Sequence, residues 1–86
     1  MAVTVLLPSL LAQQAGGQKQ FELEATTVGE ALRALPVRDL LLDERDELRP
    51  LVNVYVDGTD AREHGGLDAE LSGRETIRVV AAIAGG

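Results

Sequence analysis

One segment of the sequence has the full pattern of a capped amphipathic helix, and it lies between segments that alternate as strands do. In "TTVGEALRALP", Thr27 is placed to cap the helix and Glu30 follows three residues later, as in a capping box. Apolar residues then recur at helical spacing, at Val28, Ala31, Leu32 and Leu35. Pro36 ends the helix. In a chain of 86 residues, one such helix can cover one face of a sheet and close a single core.

Period-two alternation predicts four strands around this helix. They are "AVTVLL" (2–7), "QKQFELEA" (18–25), "LVNVYVDG" (51–58) and "ETIRVVAA" (75–82). The first is expected to stop near Pro8, and a polar loop with a turn at Gly16 and Gly17 then leads into the second, with which it pairs as a hairpin. Asp57 and Gly58 form the turn that ends the third strand.

The remaining segments are shorter. Val37, Leu40 and Leu41 predict a short helix before an exposed acidic loop, "DERDEL". We expect a short edge strand around Ala61–Glu63. In "GGLDAEL", a compact turn tucks Leu67 and Leu71 inward, and Ser72 and Gly73 turn the chain again.

A hairpin, a helix that crosses one sheet face, and a last strand placed beside the first give a mixed sheet of four or five strands packed on one main helix. The predicted fold is therefore α+β, with the β-grasp arrangement of ubiquitin. Residues 1–81 form this domain, and residues 82–86 form a flexible tail that ends in Gly-Gly. Extended at about 3.3 to 3.6 Å per residue, that tail reaches roughly 16 to 18 Å beyond the sheet.

Composition restricts the function. Fourteen acidic and eight basic residues give a net charge of −6, which argues against nucleic-acid and membrane partners and favours a protein partner with a basic face. The absence of cysteine excludes a disulfide framework and a catalytic thiol. His64 has no second His or Cys in metal-ligand spacing, so no metal site is expected. No leader sequence or apolar run of about 18 residues is recognised, which predicts a cytoplasmic protein.

Leu6, Tyr55 and Val80 are outward positions of three strands, on the sheet face opposite the helix. They are either ordinary surface residues or a patch that docks a partner beside the tail.

Two stretches resemble the ThiS/MoaD family of ubiquitin-like sulfur carrier proteins, and the likeness is strongest to its MoaD-like branch with CysO. They are "GGQKQFEL" (16–23) and "LRPLVNVYVDGTDAREHGGLDAELSGRETIRVVAAIAGG" (48–86). The most diagnostic part is the final Gly-Gly. Arg74 and Ala81 depart from the pattern of many relatives, which have an acidic residue and a proline there.

The resemblance implies that an E1-like adenylyltransferase/sulfurtransferase uses ATP to adenylate the carboxylate of Gly86 and that a sulfur donor converts it to a thiocarboxylate. Gly85, Ala84 and Ile83 would enter that enzyme together with Gly86. A second partner would be a biosynthetic enzyme that accepts the sulfur. The chain would be a co-substrate, not an enzyme, would bind no cofactor itself, and would be a monomer when free.

Two other functions remain open at this stage. The chain could be a ubiquitin-like modifier joined to lysines through Gly86, or an interaction module in which the glycines have no role.

Overall fold

The sheet is organised around its final strand. The structure, a computed structural model, describes residues 2–81, and within them one mixed sheet has five strands. In chain order the elements are β1 (Val3–Leu6), α1 (Ser9–Gln14), β2 (Gln20–Leu23), α2 (Val28–Arg33), α3 (Arg38–Leu41), β3 (Val52–Val56), β4 (Thr59–Asp60), short 3-10 helices at Ala61–His64 and Gly66–Asp68, and β5 (Thr76–Ala81).

The strand order is β2-β1-β5-β3-β4. β1 and β2 form the predicted antiparallel hairpin. β5 runs parallel to β1, with Ile77 opposite Val5, and antiparallel to β3, with Val79 opposite Val54. The last strand therefore lies beside the first, and the predicted α+β, ubiquitin-like β-grasp fold is confirmed.

One face of the sheet packs against the helices. The strands turn alternate side chains into the core, and those of Val3, Val5, Val54, Ile77 and Val79 are at most 2% exposed. α2 covers them with residues that are fully buried, Val28, Ala31 and Leu32. The core is aliphatic because β-branched side chains suit the pleated strands and Leu and Ala suit the helices.

α2 begins as the sequence predicts. The hydroxyl oxygen of Thr27 accepts a hydrogen bond from the backbone N–H of Glu30 at 3.1 Å. The Glu30 carboxylate reaches back to the backbone N–H of Thr26, also at 3.1 Å, one residue earlier than in a standard capping box. Both bonds satisfy N–H groups near the start of the helix, and the chain turns at Leu35 and Pro36 beyond its end.

The prediction of a polar loop directly after Pro8 is wrong, because residues Ser9–Gln14 form the helix α1. Pro8 occupies the N-cap position, and the backbone N–H of Ala12 bonds to its carbonyl at 2.9 Å. Leu11 and Ala12 are buried against the core, so packing stabilises a helix too short to form alone. The predicted Gly16–Gly17 turn does follow, and both glycines have positive φ.

The predicted position of the edge strand, around Ala61–Glu63, is also wrong, because the edge strand β4 lies at Thr59–Asp60. Asp57 and Gly58 form the predicted turn, with φ of 49° and 87°, and β4 begins directly after it. The chain then enters a 3-10 helix because the Asp60 carboxylate accepts the backbone N–H of Arg62 and Ala61 is buried.

Two further predictions are confirmed. Leu67 and Leu71 are half-buried and pack against the core. The acidic loop is exposed and follows the short α3. Within it, the Asp43 carboxylate accepts the backbone N–H groups of Glu47 and Arg45, and these bonds lower the pKa of Asp43.

The turn before β5 is held by one carboxylate. Glu75 accepts the backbone N–H groups of Ser72, Gly73 and Arg74 at 2.7, 2.9 and 3.0 Å. These bonds, with that from Ser72 the most important, lower the pKa of Glu75 to about 2 from an ordinary 4.5. The same turn leads into the central strand, so the ionised carboxylate fixes where β5 starts.

We expect Glu75→Gln to lower the free energy of unfolding by about 1 kcal/mol at pH 7, or the melting temperature by roughly 5 °C, after allowance for solvent screening. Because the pKa of Glu75 is lowered by folding, its contribution is complete above pH 4.5 and is lost as the pH falls towards 2. Melting curves of both proteins between pH 2 and 7 should therefore converge at low pH. A constant difference across that range would contradict this role.

Candidate functional site

The sheet has an open face opposite the helices. Leu6, Tyr55 and Val80 all lie on it, as the sequence predicts, on strands β1, β3 and β5. Val80 is 40% exposed, and the other two side chains are half-buried. Leu6 and Val80 line one shallow groove together with Pro8 and Ala81.

Arg78 separates the members of this predicted patch. It is directly opposite Leu6 on one side and Tyr55 on the other, so it lies between them on the same face. The alternation of β5 already places Arg78 outward, but only the strand order shows that it is central to the patch. Arg78 lines the groove together with Leu6 and Val80, and Tyr55 adjoins Arg78 on the side of β3.

A second arginine, Arg62, contacts β3 at the other side of this face. Arg62 donates to the side-chain oxygen of Asn53 at 2.8 Å and to the backbone carbonyl of Val52 at 3.1 Å. β4 pairs only with Tyr55 and Val56, so the Arg62 guanidinium occupies the edge of β3 that β4 leaves open. This contact protects an otherwise unpaired strand edge.

The groove is close to the point where the described chain ends. Ala81, the last residue of β5, is opposite Val52 in the register with β3. A segment continuing from Ala81 therefore starts at the end of the central strand, next to the groove. Gly86, Gly85, Ala84 and Ile83 lie outside the described residues, as does the predicted tail 82–86.

Other candidate chemistry lies away from this face. His64 is exposed at the end of its 3-10 helix. Residues 2–81 contain no group of three or more His, Asp or Glu side chains placed to hold a metal ion. In the same residues, no helix combines the length and apolarity needed to cross a bilayer.

In residues 2–81, a mixed five-stranded sheet around a central last strand, with α1, α2 and α3 packed against the core on one face, defines a ubiquitin-like β-grasp protein. More particularly, the chain belongs to the ThiS family, which matches residues 5–86.

Individual relatives agree with this assignment. The sulfur carrier protein CysO of Mycobacterium tuberculosis is 31% identical over 93 aligned positions, which cover 100% of both chains. A chain in the crystal structure of the Amycolatopsis orientalis BexX/CysO complex is 35% identical, with a TM-score of 0.83 and coverage of 99% of this chain and 100% of that one. These likenesses support a sulfur carrier of the CysO type.

The fold is shared more widely. The solution structure of small archaeal modifier protein 1 from Methanosarcina acetivorans has a TM-score of 0.84, with coverage of 99% of this chain and 96% of that one. At 23% identity, this likeness concerns the fold alone.

If the open face docks the E1-like enzyme that the family resemblance implies, Val80→Asp should weaken that binding by more than ~1 kcal/mol, because it places a charge in an apolar contact. An outward strand position tolerates charge, so the melting temperature should change little. Leu40→Asp is the matched control, because Leu40 is similarly exposed, at 45%, but lies on α3 among the helices. Equal affinity of the two variants in calorimetry, with intact circular dichroism, would refute the patch.

Proposed function

We propose that this chain is a sulfur carrier whose Gly86 carboxylate is adenylated by an E1-like enzyme and then converted to a thiocarboxylate that donates sulfide in biosynthesis. The observation that carries the proposal is the ThiS family match, which runs from residue 5 through the final glycine. The identity to CysO along the full length supports it.

The chemistry requires activation in two steps. A carboxylate with a pKa near 3.5 is ionised at neutral pH, so it is a nucleophile and not an electrophile. Its oxygen attacks the α-phosphorus of ATP and displaces pyrophosphate, which gives an acyl adenylate. Hydrosulfide from the sulfur donor then attacks the carbonyl carbon, the carbon–oxygen bond to AMP breaks, and AMP and a proton leave the thiocarboxylate.

Glycine suits both final positions. Without a side chain, the backbone can pass through a narrow channel and can adopt angles that other residues reach only at a cost. In this proposal Gly86 is a reacting substrate group, and the chain is a protein co-substrate. ATP is then consumed by the activating enzyme and is not a cofactor of this chain.

Two kinds of partner follow from the proposal. The E1-like enzyme loads the sulfur, and a biosynthetic enzyme removes it. A CysO relative has been crystallised with BexX, which supports a second protein partner for the carrier. The final sulfur acceptor could be a precursor of cysteine, of a cofactor or of a specialised metabolite, and a cytoplasmic location remains a prediction.

The alternative is a ubiquitin-like modifier joined to lysines of other proteins. It begins with the same adenylation, and a protein named as a modifier shares the fold. Incubation with the E1-like enzyme, ATP and a sulfide source, followed by intact-mass analysis, separates the two. A carrier gains the mass of sulfur in place of oxygen, a modifier appears attached to other proteins, and an inert module is unchanged.

Deleting Gly86 should nearly abolish adenylation, because it shortens the chain by about 3.5 Å and even a 1 Å misplacement can cost about a hundredfold in rate. Appending one alanine after Gly86 should have the same effect, because it adds a methyl group and lengthens the chain. ATP–pyrophosphate exchange measures both variants against the original chain.

Stability is the control for these two variants. The buried core residues lie between positions 3 and 79, so both variants should melt within about 2 °C of the original chain. Adenylation of either variant near the original rate would contradict the assignment of Gly86 as the reacting residue.

A further inference from the structure

The centre of the open face carries a positive charge with apolar neighbours. Arg78 is exposed on β5, the middle strand of the sheet. Leu6 and Tyr55 are directly beside it on the adjacent strands, and Val80 is the next outward residue of its own strand. A partner that covers the apolar residues must therefore also cover the guanidinium.

No carboxylate in the described part of the chain neutralises Arg78. The ion pairs found in that part join Arg38 to Asp46 and Arg62 to Asp60. Asp60 is in line with Arg78 across the sheet, but it lies two strands away, on the other side of Tyr55. Its carboxylate accepts a hydrogen bond from the backbone N–H of Arg62.

The chain as a whole has a charge of −6, so a cation with no ion-pair partner among residues 2–81, at the centre of this face, reverses the prevailing sign. An acidic chain attracts basic partner surfaces in general. At this face, the group on a partner that would complement Arg78 is instead negative. Such a local match of opposite charges favours one orientation of the partner over others.

Covering Arg78 with a purely apolar surface would remove water from a charge that no carboxylate of residues 2–81 compensates, which is strongly unfavourable. A carboxylate opposite it would offset the cost and would match the planar fork of the guanidinium with two parallel hydrogen bonds. We propose that the open sheet face docks a partner protein which presents an Asp or Glu carboxylate to Arg78, surrounded by apolar residues that contact Leu6, Tyr55 and Val80.

This inference rests on the proposed function, and it specifies the contact surface of the E1-like enzyme. The probe is that enzyme, titrated calorimetrically with the full chain in the absence of ATP, so that binding is measured separately from the reaction at Gly86. We expect Arg78→Gln to weaken binding about 30-fold and Arg78→Glu still more, because the enzyme's carboxylate is left buried without its partner. Arg78→Lys, which retains the charge but loses the fork, should weaken it less than Arg78→Gln.

The control is Arg74→Glu, an equal charge reversal at an exposed residue of the turn before β5, at the opposite end of the strand from Ala81. It should bind within about twofold of the original chain. Raising the salt concentration should weaken binding of the original chain much more than binding of Arg78→Gln. Melting temperatures verify that each variant is folded.

The two charge reversals separate a specific contact at Arg78 from a general effect of charge. Equal losses for Arg78→Glu and Arg74→Glu would show an effect of net charge alone and overturn the proposal. Unchanged or tighter binding of Arg78→Gln would also overturn it, and tighter binding would indicate that a carboxylate of this chain, such as that of Gly86, competes for Arg78.

If the original chain is adenylated while Arg78→Gln binds equally well, only the docking surface fails. If the enzyme neither binds nor adenylates the original chain, the proposed function fails and this surface with it.

Discussion

The pairing of β5 with both β1 and β3 is the contact on which the rest of the structure depends. It joins the two hairpins into one sheet, since β2 reaches the rest of the sheet only through β1 and β4 only through β3. The same pairing sets the facing of every residue of β5. Ile77 and Val79 close the core against α2, and Arg78 and Val80 are consequently turned to the open face.

Side-chain carboxylates also help to fix the position of this strand. Glu75 binds the backbone of the preceding turn, and the Asp57 carboxylate accepts the backbone N–H of Thr76 at 2.9 Å, where β5 begins. Asp57 also belongs to the β3–β4 turn, so one residue connects that turn to the start of the central strand. Asp57 and Glu75 are thus structural anchors in this negatively charged chain, and the lowered pKa of Glu75 means that its anchoring contribution is lost when it is protonated.

The open face and the Gly-Gly segment belong to one functional arrangement in our proposals. β5 carries Arg78 and Val80 and ends at Ala81, so a partner that docks on the face is adjacent to the end of this strand. Binding energy from the face could then hold Gly86 near the reacting phosphate, which is how contacts remote from the chemistry raise a rate. In this arrangement the open face determines which partner binds, and Gly86 is the residue that reacts.

Much of the fold was predictable from local patterns. Thr27 and Glu30 define the start of α2, Asp57 and Gly58 define a hairpin turn, and period-two alternation locates four strands, because each signal depends on residues a few positions apart. The final Gly-Gly and the residues before it also indicated the family.

The tertiary structure alone decided the features that depend on distant contacts. α1 is stabilised by the burial of Leu11 and Ala12 against the rest of the core. Its residues include good helix formers, but a segment of six residues is too short to form a stable helix alone, so its local sequence did not predict one. The importance of Arg78 is similar. Alternation within β5 shows that its side chain points outward, but its place between Leu6 and Tyr55 follows from the order and register of strands that are far apart in the sequence. Sequence patterns determine which way a residue faces on its own strand, whereas its neighbours on that face are determined by long-range pairing of the backbone.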